Sequence, residues 1–485
     1  MAAKRKSSCS VSPPPPLKKL FRSHGLDILD NPSENCGQRF FEWIIHPISV
    51  KAFYSEYFEK KPLFIKRDKS SYYDGLFHTS DIQSLLRCSD LVENSASRSD
   101  AKDYDGDDDE ACDDVRFGND LDITKYVDGK RQTVHVSGER AEPLKVWKYF
   151  NDGCSIRILR PQKYSKTMWQ MLSVLDQFFG CMTGVNSYLT PAGTQGFAPH
   201  YDDVDVFVLQ TEGAKHWKIH GNLNEETTLS RYSSGNFTQE EVGDPVLEVD
   251  LHAGDFLYLP RSFIHQANSF PDQHSFHITV SANFRNTWAD FLEKSIPVAL
   301  QSAIEDDVSF RRSLPRNCIE YMGALHSDRE DSRRDDFEKN LVELVLKMVR
   351  SFPIDSAVDQ IAKESMKYQV PPFLLESDVS RSTSSRAEVS ITSHSMIRLV
   401  SANVARLTIE EDLAVIYHIA RNSRGFMTES IGKEEFDIDF AGGLDYILTS
   451  FPDFVSVNSI PVDDSDDQIS IVQSLYDCGV IEIKR

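Results

Sequence analysis

Between Cys154 and Trp288 the chain breaks into short runs of alternating character: SIRILR, NSYLT, DVFVLQ, KHWKIH, VLEVDL, DFLYLP and HSFHITVSANF, with Gly and Pro as punctuation. Alternation of period two sends successive side chains to opposite faces, so each run reads as a strand with one buried side. Many short strands separated by turn signals predict an antiparallel sandwich or barrel. In HSFHITVSANF, Ser275, His277, Thr279, Ser281 and Asn283 share one face, and Phe276, Ile278, Val280, Ala282 and Phe284 share the other. One side of that strand is polar enough to line a site.

The flanks have a different grammar. Residues 1–30 are rich in Ser, Pro and Lys and bury too little apolar area to offset the entropy of ordering, so they are expected to be a disordered tail. Lys4, Arg5, Lys6, Lys18, Lys19 and Arg22 flank its proline run. Such a cluster reads as a nuclear address or a nucleic-acid tether, against the plainer reading of a solvated tail. FFEWIIHPISVKAFYSEYFEKKPLFIKR, from Phe40 to Arg67, predicts helix ending in a short strand. The acidic block from Ser99 to Asp114 is expected to be an exposed loop insertion. Aligning its Gly106 with the glycine of a calcium loop puts Ala101 at the first ligand position and Cys112 where a Glu is required, so an EF-hand is excluded.

After Trp288 the pattern turns helical. Phe337, Leu341, Leu344, Val345 and Met348 form an apolar stripe, read as intramolecular packing or, more sharply, as a helical dimer interface. Pro371 to Glu388 reads as a linker to a C-terminal α+β module with helices around Gly442 to Phe451 and Asp467 to Asp477. From Glu376 onward the chain carries 19 acidic and 9 basic residues, and the whole chain has a formal charge of -22. Phosphate binding needs clustered Lys and Arg, so a DNA-reading role is not expected and a basic protein partner fits better. The eight cysteines are scattered without a CxxC pair, as expected of reduced thiols. No apolar run spans a bilayer, and the N-terminus lacks the apolar core of a secretory signal.

His200 and Asp202 stand at i and i+2 before VFVLQ, and on a strand such a pair shares one face. A third donor must then come from a neighbouring strand. His265, after the break at Pro260, is the strongest choice; His252, His274 and above all His277 are rivals. Two imidazoles and a carboxylate form the facial triad of non-haem Fe(II) oxygenases. Lys215 follows a Glu-Gly pair, read as a turn, and so begins the next antiparallel strand with its ammonium available to the same cavity. A buried lysine needs an anionic partner, which in an oxygenase would be the far carboxylate of 2-oxoglutarate; the plainer reading is a surface lysine. Asn186, Tyr188 and Thr190 alternate onto one face and add hydrogen-bonding groups.

GFAPHYDDVDVFVLQTEGAKHWKIH, AGDFLYLPRSFIHQANS and HITVSANFRNTWADFLE together closely resemble the JmjC ribosomal oxygenases, in the nucleolar branch that joins histidyl hydroxylation to lysine demethylation. The likeness runs from about Arg39 to the C-terminus. It implies an α+β chain: a JmjC double-stranded β-helix, a cupin-like jelly roll, over 31–290; a helical dimerisation domain over 291–370; and a winged helix over 371–485. It assigns Fe(II) to His200, Asp202 and His265, and 2-oxoglutarate to Lys215, Asn186, Thr279 and Tyr188. Substrate contacts fall on Arg157, Tyr188 and Ser281. O2 is the second cosubstrate, and a homodimer in the nucleus, within the nucleolus, is implied. The expected reaction is hydroxylation of a histidine β-carbon in a large-subunit ribosomal protein. Demethylation of methyl-lysine on histone tails is the alternative, and a non-catalytic binding scaffold is the third.

Overall fold

The computed structural model describes residues 27–29, 35–96, 115–375, 379, 381–382, 389–425 and 430–484. Residues 1–26, the acidic segment 99–114 and parts of the 371–388 linker lie outside that set. At its end the expected tail needs correcting: Ile28 and Leu29 are buried, and the Ile28 carbonyl accepts from Cys36 Sγ. The apolar pair docks onto α1 (Cys36–Ile45), whose Phe40, Phe41, Ile44 and Ile45 are spaced to bury one face. Pro47 stops α1, and Ser49 caps α2 (Val50–Glu56) by accepting from the Ala52 N–H at 3.2 Å.

Strands β1 (Leu63–Ile65), β2 (Leu121–Val127), β3 (Lys130–Thr133), β4 (Ser155–Leu159), β5 (Gly184–Thr190), β6 (Asp205–His220), β7 (Pro245–His252), β8 (Phe256–Leu259), β9 (His265–Ser269) and β10 (Ser275–Ala282) build the central fold. The larger sheet runs β1-β8-β6-β10-β5-β4-β2-β3, and β7 and β9 flank the far half of β6. Every one of these pairings is antiparallel, as the turn-rich alternation predicts.

One expectation fails here. Thr211 to Lys215 is not a hairpin turn; DVFVLQ and KHWKIH are one strand of 16 residues. Gly213 has φ +61, and a Cβ on it would lie 1.8 Å from the His274 carbonyl oxygen, so only glycine fits the bend. The first half of β6 pairs with β8 and β10, and past the bend the second half pairs with β7 and β9. A single strand thus serves both sheets, and the jelly roll closes around the space between them.

Helices α3 (Thr79–Ala96), α4 (Pro143–Asn151) and α5 (Lys166–Phe179) cover the outside. Phe41 stacks on Phe178 at 4.8 Å and meets Phe207 edge-on at 5.6 Å, joining α1, α5 and β6 in one aromatic core. Val206, Val208, Trp217, Ile219, Leu251, Leu257 and Leu259 fill a second cluster between the two sheets. Three helices follow: α6 (Trp288–Asp306), opened by a capping box of Thr287 and Asp290, then α7 (Ser332–Met348) and α8 (Ile354–Met366). Nothing on α7 is buried. Its stripe divides, with Phe337, Leu344 and Met348 half-buried against the chain and Leu341 and Val345 facing outward.

The C-terminal module packs β11 (Met396–Leu399), β12 (Ala405–Glu410), β13 (Leu413–His418), β14 (Gly432–Asp437), β15 (Val455–Ser456), β16 (Ile481–Ile483), α9 (Ala441–Thr449) and α10 (Ser465–Asp477) around its own core. It is tied to the jelly roll through the preceding segment. Trp169 Nε1 donates to the Pro371 carbonyl at 2.7 Å, and the Val370 N–H donates to Asp176 at 3.3 Å.

Candidate metal centre

The segment before β6 sets the site. His200 and Asp202 do not lie on a strand, as alternation had suggested; the regular strand begins at Asp205. An isolated bridge does the same work. The His265 N–H donates to the His200 carbonyl at 2.9 Å and the His200 N–H returns to the His265 carbonyl at 3.3 Å, so the two backbones lie side by side. Their rings sit 4.6 Å apart between centroids. Asp202 completes the group, 4.0 Å from His200 Nε2 through Oδ1 and 3.7 Å from His265 Nε2 through Oδ2.

Both imidazoles are held by the other nitrogen. His200 Nδ1 lies 2.8 Å from the Ala198 carbonyl and His265 Nδ1 lies 3.0 Å from the Phe263 carbonyl. A carbonyl only accepts, so Nδ1 carries the proton and each Nε2 keeps its lone pair turned toward Asp202. Burial, reinforced by His200 and opposed by Asp202, holds His265 down to about 4, so it stays neutral at pH 7. Two free imidazole nitrogens and one carboxylate fit a first-row divalent metal. The rivals do not join them. His252 and His274 lie elsewhere, with His274 paired to Glu212 at 3.0 Å, while His277 stacks on Tyr188 at 4.8 Å as part of the cavity wall.

A cavity of about 260 Å³ opens beside the triad, lined among others by Arg131, Arg157, Tyr188, Phe197, Lys215, Trp217, His277 and Thr279. Lys215 is 5 % exposed and donates to Thr190 Oγ1 at 3.1 Å. Burial alone pulls its ammonium down to about 7. Its position past the Gly213 bend, rather than at the start of a new strand, is what turns it inward. Burial works against the Arg157 charge, but Tyr188 and Asp122 together hold it above its ordinary value, and its Nε donates to Asp122 at 3.0 Å.

Asn186 and Ser281 are not brought into this cavity. They line a neighbouring one of about 340 Å³ with Arg160, Met182, Phe284 and Tyr368. Each lies two residues along its strand from a wall residue, Tyr188 or Thr279, so it shares that residue's face and stands one step further along the sheet. Arg131, whose guanidinium lies 4.4 Å over the Phe197 ring, escaped sequence reading because β3 is short and polar with no motif.

A jelly roll that brings two imidazoles and a carboxylate to one mouth, with a buried lysine facing inward, defines a JmjC-type oxygenase, and residues 157–291 match the family model described as JmjC domain. Residues 362–485 match the model described as Ribosomal oxygenase 1, C-terminal winged helix domain. Ribosomal oxygenase 1 of Danio rerio is 40% identical over 480 residues, spanning 96% of this chain and 84% of that one. The bifunctional lysine-specific demethylase and histidyl-hydroxylase NO66 of Branchiostoma floridae is 38% identical over 454 residues, spanning 92% and 67%. The solved Escherichia coli ribosomal oxygenase YcfD aligns with TM-score 0.46 and 12% identity, over 90% of this chain and 98% of that one. The chain belongs to the ribosomal oxygenase family.

Proposed function

We propose that this chain is an Fe(II)- and 2-oxoglutarate-dependent protein hydroxylase whose target is a histidine β-carbon in a basic ribosomal protein of the large subunit. The observation that carries this reading is the convergence of His200, Asp202 and His265 with both Nε2 lone pairs free. These three residues would hold Fe(II). When bound, the metal supplies the activation of O2 that is coupled to conversion of 2-oxoglutarate into succinate and CO2. The rest is the work of the chain. Lys215 neutralises the far carboxylate of 2-oxoglutarate, and Thr279 and Tyr188 border it. Trp217 and Phe197 keep water from the reacting carbon, while Arg157, held by Asp122, orients Tyr188 and the incoming peptide. A net charge of -22 draws in a basic partner from a distance.

Demethylation of methyl-lysine remains the second reading, because relatives carry both activities in their names. The two are separated by incubating the purified chain with Fe(II), 2-oxoglutarate and either a histidine-bearing ribosomal peptide or a methylated histone-tail peptide. The expected result is a gain of one oxygen on the first; loss of methyl from the second alone would overturn the assignment. Absence of iron-dependent succinate in any mixture would favour a scaffold.

The helical region is read as a homodimer interface. Leu346 is 64% and Val345 is 45% exposed on α7, and Leu292, Ile296 and Leu300 are exposed on α6. Val345→Asp is expected to convert a dimer to a monomer in light scattering while leaving the far-ultraviolet circular dichroism unchanged. Among the described residues no helix is long and apolar enough to cross a membrane. The basic head supports a nuclear, nucleolar address, checked by imaging the chain with and without Lys4, Arg5 and Lys6.

A further inference from the structure

Away from the jelly roll, a second group of metal-competent side chains converges among the described residues. The ligand atoms of His418, Glu434 and Cys478 all lie within 4.8 Å of one another. Three elements supply them. His418 ends β13 and faces Gly432 across the ladder with β14, and Glu434, two residues on, points to the same face. Cys478 follows directly on α10.

Several features favour a ligand there over ordinary packing. Gly432 leaves the space that the imidazole occupies: a Cβ on it would lie 2.0 Å from the His418 ring. His418 is 2% exposed, and its Nδ1 is buried without a hydrogen-bond partner among the described residues. An unpaired buried polar atom is costly, so such a group in a native core asks for a partner. Cys478 is also buried, its Sγ–H donating to the Leu475 carbonyl at 3.2 Å. Ser474 Oγ donates to Glu434 Oε2 at 3.1 Å, which aims the carboxylate as an outer-sphere partner would. An open cleft lined by Glu434, Ser474, Asp477 and Cys478 gives a cation access from solvent. Arg421, the cation bordering it, turns its Nη2 to the Asp477 carbonyl.

We propose that His418, Glu434 and Cys478 form a second metal site, which takes zinc or a similarly thiophilic divalent cation and clamps the β13–β14 hairpin to the end of α10. One thiolate, one imidazole and one carboxylate with a fourth position left for water is a donor set suited to zinc, whereas the nitrogen and oxygen donors of the jelly roll suit iron. On binding, the metal–sulfur bond replaces the S–H bond and the thiol proton leaves to solvent.

Anaerobic titration of the full chain with Co(II) tests this without reference to catalysis. The jelly-roll site offers no sulfur, so a near-ultraviolet thiolate-to-cobalt charge-transfer band that depends on Cys478 reports the second site. The band is expected to saturate, to be bleached by added Zn(II), to vanish in Cys478→Ser and to require at least about tenfold more Co(II) in Glu434→Gln. Zn(II) is also expected to raise the Tm of His200→Ala, whose jelly-roll site is disabled, but not of the double variant His200→Ala, Cys478→Ser. Should Cys478→Ser fail to fold, His418→Gln replaces it with the same expected loss. A folded wild type that shows no such band, or a band unchanged in these variants, overturns the proposal.

Discussion

Replacing His265 by alanine is expected to reduce iron-dependent succinate formation by more than about 100-fold, because even partners one shell removed from a metal are worth about 10–100-fold in affinity or activity. The substitution removes one of the two neutral imidazole nitrogens and leaves His200 and Asp202 as an incomplete set. It does not remove the backbone pair between residues 200 and 265, since those bonds use only N–H and C=O. The variant should therefore fold, which circular dichroism would verify, while Fe(II) binding by calorimetry is lost. His277→Ala is the informative contrast. His277 stacks on Tyr188 and lies outside the triad, so its loss should leave Fe(II) binding in place and disturb the cavity wall. Retention of iron-dependent turnover in His265→Ala would remove this histidine from the ligand set.

The second large effect belongs to Lys215. Removing one partner of a buried charge pair costs about 2–5 kcal/mol, so Lys215→Met should raise the KM for 2-oxoglutarate at least about thirtyfold. Its pH dependence carries a definite sign. The ammonium is pulled by burial from 10.5 down to about 7, so the free chain loses the charge that a carboxylate needs as pH rises through 7. Apparent affinity for the cosubstrate should fall roughly fiftyfold between pH 7 and pH 9, and Lys215→Met should flatten that profile. Stability moves the other way. The unfolded chain holds this proton more tightly than the folded one, so burial of the charge destabilises fully below pH 7. Denaturant midpoints should rise from about pH 7 toward 10.5, and Lys215→Met should abolish that slope. An affinity for 2-oxoglutarate that stays level across this range would detach Lys215 from the cosubstrate.

The two predictions draw on different kinds of legibility. His200, Asp202 and His265 could be named from the sequence because ligand chemistry restricts the residue types and because the apolar runs around them repeat with period two. The local conformation differs from that expectation: the first two sit in an irregular lead-in before β6, and a single bridge ties His200 to His265. Lys215 was assigned to the cavity through a turn that does not exist. The cavity is right because the Gly213 bend redirects a continuous strand, and a positive φ in a Glu-Gly-Ala context has two readings, hairpin or bulge, that only the partners of the strand resolve.

What the sequence determined alone is the alternation that commits runs such as SIRILR, DVFVLQ and HSFHITVSANF to antiparallel strands, though not the helix Lys166–Phe179 between them, the donor types of the candidate metal site, and the acidity that sets the expectation against a DNA-reading module. Those are local or additive properties, fixed by side-chain chemistry and a period of two. Tertiary structure decided the rest: that β6 belongs to both sheets, that Asn186 and Ser281 face a neighbouring cavity, that Arg131 reaches the mouth, and that His418, Glu434 and Cys478 meet. Each of these depends on register and bend between segments far apart in the chain, and a strand's alternation specifies which face a side chain occupies without specifying how far along the sheet it stands.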